Sequence, residues 1–139
     1  MEAMYKTTAI SVGGRDGSVR TEDGYVDLSL RTPKEMGGTG GGANPEGLFA
    51  AGYAACFNSA VAMAARRRKA EIGNVDVKAT VGVGPNGKGG FKFEIKLEAN
   101  IPGVDLAVAQ ALAEEAETIC PFANATRGNI DVELVVTNK

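Results

Sequence analysis

Residues 44–65, NPEGLFAAGYAACFNSAVAMAA, decide the fold, because they predict one long apolar helix in the middle of the chain. Asn44 is a favourable N-cap, Pro45 is favoured at the first helical position, and Glu46 suits the positive end of the helix dipole. No further charged residue occurs until Arg66. A helix that is apolar on every side is buried, and the many small residues here suit close packing.

This helix resembles a membrane span in its length, and a basic run, residues 66–69, follows it. Its composition is mostly alanine, with Asn58 and Ser59, so it is only weakly hydrophobic. We therefore expect no membrane insertion, but burial against a second copy of the chain in a homodimer. The basic run lies in the last turns, where cations favour the helix dipole, and we expect the helix to end near Ala70.

The rest of the chain alternates between predicted strands and turns rich in glycine. Asp-Gly between such strands, as at Asp16-Gly17 and Asp23-Gly24, favours a β-hairpin. The order β-β-β-α-β-β-α-β leaves little room for parallel crossovers, so we predict a single domain, residues 1–139, of the α+β class with mainly antiparallel sheet. The predicted strands are residues 5–12, 19–21, 25–30, 75–83, 91–99 and 130–137, and the second helix spans residues 105 to about 119.

Composition and charge exclude several functional classes. The net charge of −2 and the pI near 5.2 provide no general attraction for nucleic acid or anionic lipid. The first residues lack the apolar segment of a signal peptide, so we expect both cysteines in the reducing cytoplasm. The absence of histidine excludes Ser-His-Asp triads, Cys-His nucleophiles and common zinc motifs. Two cysteines also cannot form a cysteine-rich metal site, and we expect no bound cofactor.

The run Gly82–Gly87 matches the GxGxxG pattern of dinucleotide-binding sites, and with Lys88 it approaches a Walker A loop. Both kinds of site need a helix directly after the loop, because the helix N-terminus binds the phosphates. Here a predicted strand, residues 91–99, follows, and Gly89 stands where Walker A has Ser or Thr. We therefore interpret the run as a glycine-rich β-hairpin.

Cys56, in the interior of the long helix, is either a small buried core residue or a reactive thiol. A reactive thiol needs a neighbouring group that lowers its pKa. Because the chain has no histidine and Cys56 is far from a helix N-terminus, this group can only be an arginine or a lysine. Arg15, in the turn Gly13–Gly17, is the candidate, with a solvated turn residue as the alternative. Glu46 either pairs with the helix dipole or orients Arg15 through a bidentate ion pair.

Cys120 ends the second predicted helix, because Pro121 disfavours helical geometry at the residue before it. A disulfide between Cys120 and Cys56 would close a loop of about 65 residues and contribute about 4 kcal/mol in the chain-entropy model. In a cytoplasmic protein such a disulfide is usually catalytic rather than structural.

Five stretches together resemble the organic hydroperoxide resistance (Ohr) family of the OsmC superfamily. The resemblance spans nearly the whole chain, and it implies an OsmC-like fold with antiparallel sheets wrapped around a central long helix. It also implies an intertwined homodimer with two active sites at the interface. The stretches are residues 13–17 (GGRDG), 38–42 (GTGGG), 44–46 (NPE), 48–57 (LFAAGYAACF) and 120–129 (CPFANATRGN).

The resemblance implies a thiol-dependent peroxidase that acts on organic hydroperoxides, including lipid-derived ones, in preference to hydrogen peroxide. By motif match, Cys56 is the peroxidatic cysteine and Cys120 the resolving one, while Arg15 stabilises the thiolate and Glu46 holds Arg15. In the implied cycle Cys56 becomes a sulfenic acid and Cys120 condenses with it. Lipoyl groups carried on proteins then reduce the disulfide.

The apolar side chains of Tyr53, Phe57 and Phe122, near the thiols, would suit the alkyl chain of a substrate, with core packing as the alternative. Two other functions stay open. One is an OsmC-type peroxidase with a broader substrate range. The other is a non-catalytic dimer that binds apolar ligands or senses the redox state.

Gly47 departs from the family pattern, in which Gln usually follows Asn-Pro-Glu. A Gln here could complete a capping box with Asn44, whereas Gly cannot. Glycine inside a helix also costs about 0.5–1 kcal/mol. We therefore predict a looser first turn and a more mobile pair between Glu46 and Arg15.

Overall fold

The computed structural model describes all 139 residues. They form two compact units, Met1–Leu48 and Phe49–Lys139, so the prediction of a single domain stays a prediction. The fold contains the strands β1 (Ala9–Val12), β2 (Ser18–Thr21), β3 (Asp27–Ser29), β4 (Asp76–Pro85), β5 (Phe91–Asn100) and β6 (Val132–Thr137) and the helices α1 (Pro45–Arg68), α2 (Leu106–Ile119) and α3 (Pro121–Thr126).

The first unit contains an antiparallel sheet in the order β1-β2-β3. A short 3₁₀ turn, Gly14–Asp16, joins β1 to β2, and Gly13 before it has a φ of +78°. Gly17 closes the turn so tightly that a Cβ atom there would lie 1.8 Å from the carbonyl oxygen of Val12. Only glycine fits at this position, so the backbone that carries Arg15 has a defined path.

Two strands of the first unit, β1 and β3, are shorter than the sequence pattern predicts, whereas β2 is one residue longer. Nearly all of their side chains are exposed or partly exposed, and Leu30 and Glu46 are the buried residues of this unit. A sheet that buries so little apolar surface gains little from longer strands. Regular pairing is therefore confined to the residues that flank the tight turns.

The second unit contains a sheet in the order β4-β5-β6. β4 and β5 form a long antiparallel hairpin, with Asp76 opposite Asn100 and Pro85 opposite Phe91. The run Gly82–Gly87 lies at the end of this hairpin, which confirms the predicted glycine-rich connection. β6 is parallel to β5 and is reached through α2 and α3. The sheets are thus mainly antiparallel, as predicted, and the parallel pair is an exception that the element order does not indicate.

One apolar core holds the second unit together, and it combines α1, α2 and β5. In β5 every second residue from Ile95 to Ala99 is buried, as in a strand with one covered face. On the helices, buried residues recur at helical spacing. The core residues of these elements are Tyr53, Phe57, Ala60, Val61, Ala64 and Ala65 on α1, Ala109, Leu112, Ala113 and Ala116 on α2, and Ile95, Leu97 and Ala99 on β5.

The long helix α1 has nearly the predicted bounds, but only one face lies in the core. By length and composition α1 is long and apolar enough to cross a membrane. An 18-residue window of it has a mean hydropathy of 1.5, and 33% of that window is buried within the chain. At its C-terminal end Arg68 pairs with Glu115 of α2 at 2.5 Å. This contact agrees with the helix-end interpretation of the basic run.

A third helix, α3, follows α2 after a single residue, Cys120, whose ψ of 120° ends α2. Pro121 then occupies the first position of α3, where its missing N–H is not needed. The predicted helix end at Pro121 is therefore confirmed. The sequence pattern does not predict α3, because six residues are too few to show a helical repeat.

Candidate active site

Both cysteines are free thiols, and they lie next to each other. Cys56 is on α1 and is partly exposed, whereas Cys120, between α2 and α3, has no exposed surface. The break between α2 and α3 therefore places the second thiol against the first before any oxidation. The two thiols that a Cys56–Cys120 disulfide would join are therefore near each other in the reduced chain.

The immediate surroundings of Cys56 do not favour a thiolate. Burial raises the pKa of the Cys56 thiol, and the neighbouring Cys120 thiol raises it further by hydrogen bonding and charge repulsion. The backbone N–H of Phe122, close to the sulfur, opposes these effects and lowers the pKa of Cys56. None of these groups is a cation, so the lowered pKa of a reactive thiol has to come from another source.

An aromatic cluster packs around the turn of α1 that precedes Cys56. Phe122 of α3 stacks on Tyr53 with the ring centroids 5.5 Å apart, and Phe49 meets Phe122 edge-on at 5.6 Å. Gly52 makes room for this ring, because a Cβ atom on Gly52 would lie 2.9 Å from the tip of Phe122. The missing side chain at Gly52 therefore allows α3 to sit close to α1.

The three aromatic residues predicted to contact a substrate differ in exposure. Tyr53 and Phe57 are 1% and 0% exposed, which agrees with the alternative of core packing, while contact of either with a substrate stays a prediction. Phe122 is partly exposed and is the one of the three that offers surface to an alkyl chain. Burial raises the pKa of Tyr53, so its hydroxyl stays protonated at neutral pH.

Arg15 and Glu46 form a bidentate ion pair. Nη1 of Arg15 lies 2.8 Å from Oε2 of Glu46, and Nη2 lies 2.5 Å from Oε1. The hydrogen bonds from Arg15 lower the pKa of Glu46, and the same bonds raise the pKa of Arg15. The Glu46 side chain is 11% exposed and that of Arg15 38%, so solvent still reaches the guanidinium. The pairing geometry that the sequence left as one of two alternatives is present.

The turn that carries Arg15 is anchored by its neighbour Asp16. The backbone N–H of Thr32 donates to Oδ1 of Asp16 at 3.0 Å, and Nη1 of Arg31 donates to the backbone carbonyl of Asp16 at 3.1 Å. The hydrogen bond from Thr32 lowers the pKa of Asp16, so this carboxylate stays ionised at neutral pH. These contacts fix the backbone of the turn directly next to Arg15.

The first turn of α1 is capped despite Gly47. The backbone N–H of Gly47 donates to Oδ1 of Asn44 at 2.7 Å, which confirms Asn44 as the N-cap. A Cβ atom on Gly47 would lie 3.3 Å from Oδ1 of Asn44, a tight contact. The predicted mobility of the Glu46–Arg15 pair stays a prediction, since the geometry of a cap does not measure motion.

Three residues of the site region are not indicated as such by the sequence. Gly52 and Asp16 lie inside the stretches 48–57 and 13–17, but their roles depend on partners far along the chain. Thr126 lies inside the stretch 120–129, and its role likewise depends on a distant partner, Tyr53. No group of three or more His, Cys, Asp or Glu side chains is arranged to hold a metal ion.

The fold and the adjacent thiols define a class of protein, and residues 38–135 match the family model described as OsmC-like protein. The organic hydroperoxide resistance protein of Xanthomonas axonopodis pv. citri is 44% identical over 137 residues, which cover 97% of this chain and 96% of that protein. Within the OsmC-like class, the chain belongs to the organic hydroperoxide resistance (Ohr) family.

Solved structures of this family resemble the chain over its whole length. The organic hydroperoxide resistance protein of Elizabethkingia anophelis has a TM-score of 0.97 and 46% identity, with 100% of both chains covered. OhrB of Bacillus subtilis has a TM-score of 0.87 and 37% identity, covering 97% of this chain and 100% of that one. These matches confirm the predicted α+β, OsmC-like fold with its long central helix.

Proposed function

We propose that the chain is a thiol-dependent peroxidase that reduces organic hydroperoxides, including lipid-derived ones, to alcohols in preference to hydrogen peroxide. The observation that carries the proposal is the contact between reduced Cys56 and Cys120 in a chain of the Ohr family. Two thiols in contact can pass through a disulfide without a bound cofactor. The protein would act in the cytoplasm and protect it against oxidative stress.

The oxidative half of the cycle begins at Cys56. Its thiolate attacks the terminal oxygen of the hydroperoxide, and the O–O bond breaks. The sulfur becomes a sulfenic acid, and the alkoxide takes a proton and leaves as the alcohol. Cys120 then attacks the oxidised sulfur, so that an S–S bond forms, the S–O bond breaks, and water carries away the thiol proton.

Activation of Cys56 is assigned to Arg15 through the match of residues 13–17 to the family motif. Because burial and Cys120 raise the pKa of Cys56, its thiolate needs a cation. Arginine stays protonated and has five N–H donors. The pair with Glu46 engages Nη1 and Nη2 through one bond each, which leaves further donors for a thiolate or a peroxide oxygen. Glu46 thus fixes the position of the guanidinium while occupying only some of its N–H donors.

An external dithiol reduces the disulfide, and the family resemblance indicates lipoyl groups carried on proteins. Cys120 has no exposed surface, whereas Cys56 is partly exposed. The incoming thiolate therefore attacks the sulfur of Cys56, and Cys120 leaves as the thiolate. The second thiol of the reductant then attacks the mixed disulfide, which frees Cys56 and leaves the reductant as a cyclic disulfide.

The active form is proposed to be a homodimer. The exposed face of α1 carries the small residues Ala51, Ala55 and Ser59, and in the first unit Val12 and Tyr25 are 67% and 92% exposed. Apolar surface of this kind is suited to a protein partner, and the family resemblance implies a second copy of the chain. We propose no nucleic-acid or membrane partner, because a net charge of −2 attracts neither.

The test is stopped-flow loss of thiol in the reduced protein, with cumene hydroperoxide compared with hydrogen peroxide. Wild type and Cys56→Ser are measured side by side, followed by turnover with dihydrolipoamide. Fast, Cys56-dependent consumption that favours the organic peroxide establishes the peroxidase and its specificity.

Two other outcomes would indicate a different function. Fast reaction with both peroxides indicates an OsmC-type peroxidase of broader range. Equally slow reaction with both peroxides, at the rate of an ordinary thiol, means that Cys56 is not activated. In that case the pKa of Cys56 is raised in the working protein as well, and the thiol is not activated. The protein is then a non-catalytic dimer that binds apolar ligands or senses the redox state.

A further inference from the structure

A buried hydrogen bond joins α3 to α1. The hydroxyl of Tyr53 lies 3.2 Å from Oγ1 of Thr126, and the two residues are 1% and 4% exposed. Oγ1 of Thr126 also donates to the backbone carbonyl of Ala123 at 3.2 Å. A threonine hydroxyl has a single hydrogen, so in this chain of bonds Tyr53 is the donor and Thr126 the acceptor.

Phe122 holds the other end of α3, near its N-terminus, against α1. Its ring stacks on Tyr53 and lies over Gly52, and its backbone N–H is near enough to the sulfur of Cys56 to favour the thiolate. α3 has only six residues, too few to hold a position without tertiary contacts. On α1 it is held by the contacts of Phe122 near its start and of Thr126 at its end, and on α2 by the side-chain amide of Asn124, which donates to the carbonyl of Thr118 at 3.1 Å.

Cys120 is the residue directly before α3, so the position of α3 determines where this thiol lies. We infer that Tyr53 and Thr126 are positioning residues for the resolving step, because their hydrogen bond holds α3 where Cys120 stays against Cys56. The inference rests on the proposed peroxidase function and adds residues to its second step.

The physical reason is effective concentration. A thiol held next to its target reacts as in a unimolecular step. If α3 is held less firmly, the Cys120 thiol spends a smaller fraction of its time in the reactive geometry. In that step the Cys120 thiol attacks the sulfenic acid of Cys56, the S–S bond forms and water leaves. A second peroxide competes for the same sulfenic acid and oxidises it to sulfinic acid, with release of a second alcohol. The Tyr53–Thr126 bond therefore also protects Cys56 from irreversible oxidation.

Four variants separate this bond from other effects. Tyr53→Phe removes only the bond between the helices, and Thr126→Val removes it together with the bond to Ala123. Thr118→Val is the matched control, because the exposed Thr118 hydroxyl also donates to a carbonyl three residues earlier, that of Glu115, but has no partner on α1. Thr126→Ser keeps the hydroxyl and should restore wild-type behaviour.

Two rates are followed after one equivalent of cumene hydroperoxide. Loss of the Cys56 thiol reports the peroxide step, and the lifetime of the sulfenic acid, trapped with a dimedone-type probe, reports the resolving step. We expect Tyr53→Phe and Thr126→Val to slow disulfide formation about fivefold to tenfold, the ratio that corresponds to one ordinary hydrogen bond. The peroxide step stays within about twofold of wild type. The double variant adds little beyond either single one, because both remove the same bond.

A second measurement does not depend on peroxidase activity. The Cys56–Cys120 disulfide is equilibrated with a dithiothreitol redox buffer, and its equilibrium constant should fall by a similar factor in both variants but not in Thr118→Val. The inference is overturned if disulfide formation and this equilibrium are unchanged, or if both steps slow together. Slow oxidation of wild type with a shifted equilibrium in the variants would instead reject the peroxidase while keeping the positioning role.

Discussion

The two units hold their candidate catalytic residues by different forces. In the first unit almost nothing is buried, and Arg15 is placed by an ion pair with Glu46 and by hydrogen bonds around Asp16. In the second unit Cys120 lies in the core and Cys56 packs against it, close to an aromatic cluster and a buried hydrogen bond. The first arrangement depends on ionisation and the second on shape.

This difference separates two requirements of thiol chemistry. A thiolate needs positive charge, and a charged group is most easily kept at a surface where solvent supports it. A disulfide needs two sulfurs in fixed proximity, which close packing supplies. Polar substitutions in the first unit should therefore change the pKa of Cys56, whereas packing substitutions in the second should change disulfide formation.

The largest expected effect is that of Arg15→Ala. Loss of the cation should raise the pKa of Cys56 and lower the rate of its oxidation by cumene hydroperoxide about 10²-fold, as for loss of one stabilising donor. Thiolate absorbance at 240 nm against pH measures the first change and stopped-flow oxidation the second. Arg20→Ala, an exposed arginine on β2, is the control. An unchanged rate in Arg15→Ala would remove Arg15 from the mechanism.

Next is Gly52→Ala, which tests packing in the second unit. The new methyl group would lie 2.9 Å from Phe122, and overpacking of this kind costs about 1–3 kcal/mol. Alanine regains about 0.5–1 kcal/mol of helix propensity, so a net loss of about 1 kcal/mol is expected in urea unfolding. Disulfide formation should slow while the pKa of Cys56 changes little.

The neighbouring exposed residue supplies the control for this change. Ala51→Gly reverses the propensity effect without touching Phe122 and should cost about 0.5–1 kcal/mol. If Gly52→Ala is instead more stable than wild type by that amount, the ring of Phe122 moves aside freely, and the close seat of α3 does not matter.

A smaller effect, with a distinct pH dependence, is expected for Glu46→Gln. The pKa of Glu46 is lowered in the folded chain, so folding favours the ionised form and the pair stabilises the protein above the unfolded pKa of about 4.3. This contribution is lost as the pH falls through the folded-state pKa. We expect the variant to be about 1 kcal/mol less stable at pH 7, with a difference that shrinks below about pH 4. A difference independent of pH would show that the ion pair is not its cause.

The smallest effect is expected for Gly47→Gln. It should stabilise α1 by about 0.5–1 kcal/mol and make the pair between Glu46 and Arg15 less mobile, seen as slower amide exchange in the first turn. Asn44 has to shift slightly, because the new Cβ would lie 3.3 Å from its Oδ1. Gly47→Ala separates helix propensity from capping. If Gly47→Gln changes neither stability nor the peroxidase rate, the idea of a mobile pair is wrong.

Much of the fold follows from local pattern. The cap at Asn44, the apolar run to Ala65 and the turn residues predict α1 and the hairpins, because these signals act over a few residues. The bounds of β1 and β3 are less well predicted, since the length of a strand depends on what it pairs with and what covers it. α3 and the parallel pairing of β6 with β5 are not predicted, because no short-range repeat encodes them.

The sequence by itself identified the candidate residues for the proposed chemistry. A chain without histidine leaves Cys56 dependent on arginine or lysine, and the family motifs mark Arg15, Glu46 and Cys120. Only the tertiary structure decided that the two thiols lie near each other while reduced, that Phe122 fits over Gly52, and that Tyr53 bonds to Thr126, 73 positions away. The reason is physical: residue chemistry is local, whereas contacts between distant segments are chosen by the packing of the whole core.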